Sequence, residues 1–121
     1  MKLLLDTHAF LWFIEGSPNL TGRALQLIQA PGNRCFLSTA SLWEMAIKAS
    51  KLHLAMTIPE LVRDHVTANG MSVLPIQPKH LERLRHLPMH HRDPFDRLLL
   101  TQALTDGLTL LSCDSNFPQY G

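Results

Sequence analysis

The chain has 121 residues, 45% of them hydrophobic and 17% charged, with a formal net charge of +1. That balance is ordinary for a globular protein and argues against a disordered chain, and no run approaches the length of a membrane span, so one soluble, cytoplasmic domain with its own core is expected. The opening Met1-Lys2-Leu3-Leu4-Leu5 faintly resembles a signal peptide, but Asp6 and His8 interrupt it and no small-residue cleavage site follows. Two cysteines, Cys35 and Cys113, each fall in an apolar run and not in a C-x-x-C pair, which predicts buried thiols and gives no support to a zinc or redox site.

In chain order, residues 2–5 read as a first strand and Leu11-Trp12-Phe13-Ile14 as a short apolar helix, followed by a turn at Gly16-Ser17-Pro18-Asn19. Thr21 reads as the N-cap of a helix to about Ala30, stopped by Pro31-Gly32. Cys35 to Ser38 forms a second strand, and a helix runs from near Thr39 to Lys51. Another helix is predicted from Pro59 to about Ala68, capped near Thr57 or Ile58, with Asn69-Gly70 ending it before a third strand at 71–74. Pro78 opens a helix to about His86, Leu87 to Arg92 is a histidine-rich loop, and Asp93-Pro94 starts a long helix ending at Gly107. The fourth strand runs to Cys113. Strands alternating with helices predict an α/β fold, a parallel sheet with helices on both faces.

The aspartates carry the functional signal. Asp6 closes the apolar run Leu3-Leu4-Leu5, and Asp114 closes the run from Leu108 to Cys113. Both therefore fall at the carboxyl ends of predicted parallel strands, the edge of an open α/β sheet where ligands bind. Glu44 and Asp96 fall near the starts of predicted helices, which face the same edge. Each acid has a bland role open to it. Asp6 can cap a helix beginning near His8, Asp114-Ser115-Asn116 can form an Asx turn, and Ser41 and Glu44 have capping-box spacing. Glu44 and Lys48 also have the spacing of a helical ion pair.

Asp93 and Asp96 divide by role. Asp93 precedes Pro94 and reads as an N-cap with proline at the first helical position, while Asp96 shares helical spacing with Leu99, Leu100 and Ala103 and so lies on or beside the buried face. Four carboxylates at one edge repel one another unless a cation neutralises them, which makes a divalent-metal site the leading expectation. Setting those four aside leaves six acids against eleven Lys and Arg, a mildly basic remainder suited to a polyanion.

Four blocks of the sequence resemble a known family. They are Met1 to Phe13 with its Leu-Leu-Leu-Asp-Thr-His core, Ser38 to Lys48, His90 to Arg97, and Ser112 to Phe117. Their order and spacing are similar to PIN-domain nucleases of the VapC type, the toxin half of bacterial toxin–antitoxin pairs. The resemblance spans essentially the whole chain, 1–121, and carries the acidic quartet over to Asp6, Glu44, Asp96 and Asp114. It implies a magnesium- or manganese-dependent endoribonuclease, a homodimer, inhibited by a VapB-like antitoxin whose C-terminal segment lies across the active site. Where many relatives have threonine two residues before the last acid, this chain has Ser112, which keeps a hydroxyl. Many relatives also continue past the Tyr120-Gly121 position into a final strand, so four strands are expected, or five where that edge strand follows.

On this reading Asp6 and Asp96 hold the principal ion, and Glu44 and Asp114 bind through water or recruit a second. Oxygen ligands alone suit magnesium or manganese over zinc or copper. Lys48, Arg92 and Arg97 are candidates for contacts to substrate phosphate, and Thr7 and Ser112 for orienting a ligand or water. His86, His90 and His91 have no partner set nearby in sequence, and Trp12, Phe13 and Trp43 read as core or dimer-face residues rather than base-stacking platforms. Three other functions remain open: a housekeeping PIN nuclease without an antitoxin, a non-catalytic module on the same fold, and a metal-dependent phosphatase of another α/β fold.

Overall fold

The computed structural model describes residues 1–88 and 93–112. Four short strands, β1 (Lys2–Leu5), β2 (Arg34–Ser38), β3 (Ser72–Leu74) and β4 (Thr109–Leu111), form one parallel sheet in the order β3-β2-β1-β4. The helices are α1 (Thr7–Glu15), α2 (Gly22–Gln29), α3 (Thr39–Ile47), α4 (Ile58–Leu61), α5 (Pro78–Arg85) and α6 (Pro94–Asp106). The expected α/β architecture is therefore the observed one.

Side chains on a strand alternate between faces, so β1 serves two cores. Leu3 and Leu5 join Leu37, Phe10, Ala24, Ile28, Met45 and Leu61, which α1 to α4 bring to one face. Leu4 points the other way, into a cluster with Leu98, Leu99 and Ala103 of α6. Burial on both sides explains why the strand reads as an unbroken leucine run rather than an alternating pattern. Cys35 is buried and reduced, and its burial pushes the thiol above the ordinary cysteine value.

Several boundaries differ from the sequence reading. The first helix starts at Thr7, four residues before Leu11, because Asp6 caps it. The third helix ends at Ile47, short of the expected Lys51, and the chain passes through turns with His53 at a positive φ of 54°. The helix after Thr57 is regular only through Leu61; it widens into a π-helical turn over Val62–Val66 and tightens into a 3-10 turn over Thr67–Asn69. Thr57 is its cap, completed by the Glu60 carboxylate reaching back to the Thr57 N–H at 3.0 Å. Gly107 ends α6 in the left-handed conformation that glycine adopts without steric cost.

Two polar anchors hold the layers together. Gln102 of α6 is fully buried, bonded to the Ser38 hydroxyl at the end of β2 and donating to the Pro75 carbonyl just after β3. His80 of α5 is also fully buried; its Nδ1 accepts from the Gln77 N–H at 3.0 Å and its Nε2 lies 2.9 Å from Asp106 of α6.

Candidate active site at the carboxyl edge of the sheet

Strand order places the switch point of this sheet beside β1: β2 and β3 extend from one side of it, and β4 pairs on the other. In open α/β sheets the crevice at such a point is the ligand site. Asp6 follows β1 and Ser112 follows β4, so the two residues straddle that crevice. The Ser112 hydroxyl donates to Asp6 Oδ2 at 2.8 Å, and the Asp6 N–H donates to the Leu111 carbonyl at 3.0 Å. Asp6 Oδ1 accepts from the Ala9 N–H at 2.7 Å. The bland role of Asp6 is thus real: one oxygen caps α1, and the same side chain sits in the crevice.

Ser38 closes β2 and caps α3, which turns the helix back along the edge. Because α3 starts from that cap, Glu44 lies in the second turn and the capping-box spacing of Ser41 and Glu44 goes unused. Glu44 is buried to 5% exposure, where an unpaired carboxylate would be costly. Two donors satisfy it. The Thr7 hydroxyl lies 2.7 Å from Oε1, and Lys48 Nζ lies 2.7 Å from Oε2. A hydroxyl has one proton, so Thr7 gives its own to the carboxylate and its 3.0 Å contact with Ser41 leaves Ser41 as donor. Thr7 therefore positions Glu44 rather than Asp6.

Lys48 links the two sides of the crevice. Its hydrogen bond to Glu44 raises its pKa above the ordinary lysine value; desolvation opposes this, and the charges of Glu44, Asp93 and Asp96 add to it. Asp93 caps α6, accepting the Phe95 and Asp96 N–H groups at 2.9 and 3.0 Å. Asp96 follows in the first turn of α6, half-buried, as its spacing predicts.

Asp6, Thr7, Glu44, Lys48, Asp96 and Ser112 are thus brought to one edge. Arg97 goes elsewhere: its guanidinium donates to the Leu87 carbonyl at 3.3 Å. Asp114, Arg92, His90, His91 and Cys113 lie outside the described residues. Among the described residues, no three His, Cys, Asp or Glu side chains group closely enough to hold a metal ion by themselves. His86 is exposed, 3.4 Å from Glu82 on α5, and takes no part in this edge.

The sequence reading missed two features. His80 passed unmentioned although it is fully buried, while the loop histidines drew attention. Trp43, read as a core or dimer-face residue, is 53% exposed in this chain, which removes the core alternative. A hollow of about 560 Å³ also opens beside Ser112, lined in part by Trp12, Thr21, Arg23 and Leu27.

The family model of the PIN domain matches residues 3–121. The chain belongs to the PIN-domain family. No curated protein matches it. Among solved structures it is similar to that of VapBC2 from Rickettsia felis bound to a DNA fragment from their promoter. The TM-score is 0.72 at 15% identity, over 99% of this chain and 93% of that one. It is also similar to a toxin–antitoxin complex from Klebsiella pneumoniae, with a TM-score of 0.67 at 19% identity, over 96% of this chain and 90% of that one. At these identities the likeness is one of fold, and it extends over nearly the whole PIN domain. No helix among the described residues is long and apolar enough to cross a membrane.

Proposed function

We propose that this PIN domain is a divalent-metal-dependent endoribonuclease, the toxin of a type II toxin–antitoxin pair acting in the cytoplasm, with a VapB-like antitoxin as its partner and a homodimer as its working form. The observation that carries the nuclease reading is the acidic edge itself: Asp6 at the switch point, Glu44 bonded to the adjacent Thr7 and to Lys48, and Asp96 in the first turn of α6, its charge acting on the same lysine. The toxin reading draws its support from the two toxin–antitoxin complexes that share the fold.

The donor set fits magnesium or manganese. Asp6, Glu44 and Asp96 carry hard anionic oxygens, and magnesium sites use one or two carboxylates and keep several waters, so the acids need not all meet at one point. Asp6 and Asp96 would hold the principal ion, with Glu44 and Asp114 assisting through water or at a second. When bound, such an ion activates water and neutralises charge on a phosphodiester.

The chain's own residues supply the rest. Ser112 and the Ala9 N–H fix the Asp6 carboxylate by both oxygens. Thr7 and Lys48 fix Glu44 in the same way. Those bonds leave lone pairs free on the Glu44 carboxylate, and Glu44 or Asp114 accepts the proton of the attacking water. Lys48 contacts the substrate phosphate with the donors that Glu44 does not take, and Arg92 assists. Arg97 braces the loop at Leu87 instead.

The test is cleavage of RNA with magnesium or manganese by the wild type and by Asp6→Asn. Asparagine keeps an Oδ1 to cap α1 and offers an amide to Ser112, so the fold survives and cleavage is lost. Undiminished cleavage by the folded variant overturns the proposal. Growth arrest on expression, relieved by co-expressing a small neighbouring protein, tests the toxin assignment separately.

A further inference from the structure

We propose that Trp43 is a base-stacking subsite of the nuclease, seating one unpaired nucleobase of the RNA beside the acidic edge while Lys48 takes an adjoining phosphate. This inference rests on the nuclease reading and adds a substrate-positioning residue to it.

Three observations converge on Trp43. It is 53% exposed on α3, directly before Glu44, whereas most large apolar side chains among the described residues are buried or half-buried. Its ring is braced: Phe95, buried at the start of α6, meets it edge-on at a centroid distance of 4.9 Å and an interplanar angle of 77°. An edge-on neighbour fixes the indole while occupying little of its face. Lys48 Nζ lies 5.8 Å from the centroid of the same Phe95 ring and 2.7 Å from Glu44. Trp43, Phe95, Lys48 and Glu44 therefore form one continuous run from an exposed aromatic surface to a site carboxylate.

An aromatic surface next to a cation is the combination that holds single-stranded nucleic acid, because every base has a π-face and every linkage a phosphate. A base inside a duplex has its faces covered, so a stacking subsite selects unpaired nucleotides. Lys48 has three donors and Glu44 engages one, so the ammonium can bridge the site carboxylate to the backbone of a stacked nucleotide. A double-stranded substrate or an acidic peptide would use the lysine and leave the indole idle.

A second copy of the chain is the competing occupant, since Ile47 is 61% exposed one turn beyond Trp43 on α3. The two occupants predict different mutant pairs. A stacked base needs an aromatic ring at 43 and nothing at 47, whereas a copy-to-copy contact loses area from either residue.

The experiment compares Trp43→Ala, Trp43→Phe and Ile47→Ser in two assays. The first is cleavage of an unpaired RNA oligonucleotide with magnesium. The second is binding of the same labelled oligonucleotide by each variant carrying Asp6→Asn, which needs no turnover. Trp43→Ala is expected to raise KM and weaken binding by about 5- to 100-fold, the range found for a lost base–aromatic stack. The value of kcat stays within a few fold, Trp43→Phe restores most of the loss, and Ile47→Ser matches the parent. Thermal midpoints and sedimentation confirm that each variant is folded and report its oligomeric state.

Unchanged KM and binding in Trp43→Ala overturn the subsite. So does a shared loss in Trp43→Ala and Ile47→Ser that tracks dissociation of a dimer. A wild type that fails to cleave RNA, yet whose Asp6→Asn form binds it through Trp43, sinks the nuclease reading and leaves the subsite standing.

Discussion

Two buried polar clusters in this molecule can be set side by side. One is the edge cluster of Asp6, Thr7, Ser41, Glu44 and Ser112. The other joins α5 to α6 through His80, Gln77 and Asp106, with Lys79 3.0 Å from Asp106. Both join buried polar side chains of one element to partners on another. They differ in charge balance. In the second, one carboxylate accepts the imidazole N–H and lies against one lysine, so its charge is matched locally and the cluster serves packing. In the first, the Lys48 ammonium pairs with Glu44 and feels the charges of Asp93 and Asp96, so several carboxylates gather at one edge. One carboxylate held between two helices serves packing, whereas carboxylates gathered at a switch point suit a ligand.

Substitutions in the two clusters should therefore have crossed effects. Asp6→Asn, the largest expected change, lowers RNA cleavage by at least about 10²–10⁴-fold. Its denaturation midpoint holds or rises, since one of several clustered negative charges has gone. His80→Ala does the reverse. It leaves the Gln77 N–H and Asp106 without their partner and opens a cavity, so stability falls by about 2–4 kcal/mol while the kcat of the remaining folded protein is kept. Urea melts and cleavage rates on the same samples measure both. A fall in kcat with His80→Ala at unchanged stability would break the division between the clusters.

Thr7→Val sharpens the comparison within the edge cluster. Valine fills the volume but offers Glu44 no proton, and a hydrogen bond to a buried charged group contributes about 1.5–3 kcal/mol. Both stability and cleavage should drop, and Thr7→Ser, which restores the hydroxyl, should recover both. If Thr7→Val cleaves RNA at the wild-type rate, Glu44 needs no positioning by Thr7.

These contacts also mark where the sequence stops being readable. The leucine run of β1, the caps at Thr21 and Asp93 and the stops at Gly70 and Gly107 are local signals, and each stands where its chemistry put it. The positions of Asp6 and Asp96 follow from a strand end and a helix start in the same way, whereas Glu44 lies in the second turn of α3. Thr7 to Glu44, Ser38 to Gln102 and His80 to Asp106 join residues 37, 64 and 26 positions apart, and no periodicity encodes such pairs. Trp43 was hidden for a different reason. Leu42, Trp43, Met45, Ala46 and Ile47 surround Glu44 so evenly that no polar stripe reveals which side of α3 faces out. Packing decides it, burying Met45 and leaving Trp43 and Ile47 exposed.

The smallest expected effect lies in the second cluster and concerns its charge. Desolvation pushes the Asp106 carboxyl up, but hydrogen bonds from Lys79 and His80 outweigh it and hold the group below the usual aspartate value. A carboxyl with a lower pKa in the folded state than in the unfolded one adds stability that is complete above the unfolded value, about 3.9. That contribution fades as pH falls through the folded value. Asp106 keeps 17% of its side chain exposed, so solvent trims the contribution to about 1 kcal/mol or less. Asp106→Asn should accordingly be less stable than the wild type at pH 7, and the gap between their urea midpoints should close towards pH 3. A gap of constant size across that range would mean that shape and neutral hydrogen bonding, not charge, join α5 to α6, and the contrast with the edge cluster would then rest on the acids gathered at that edge.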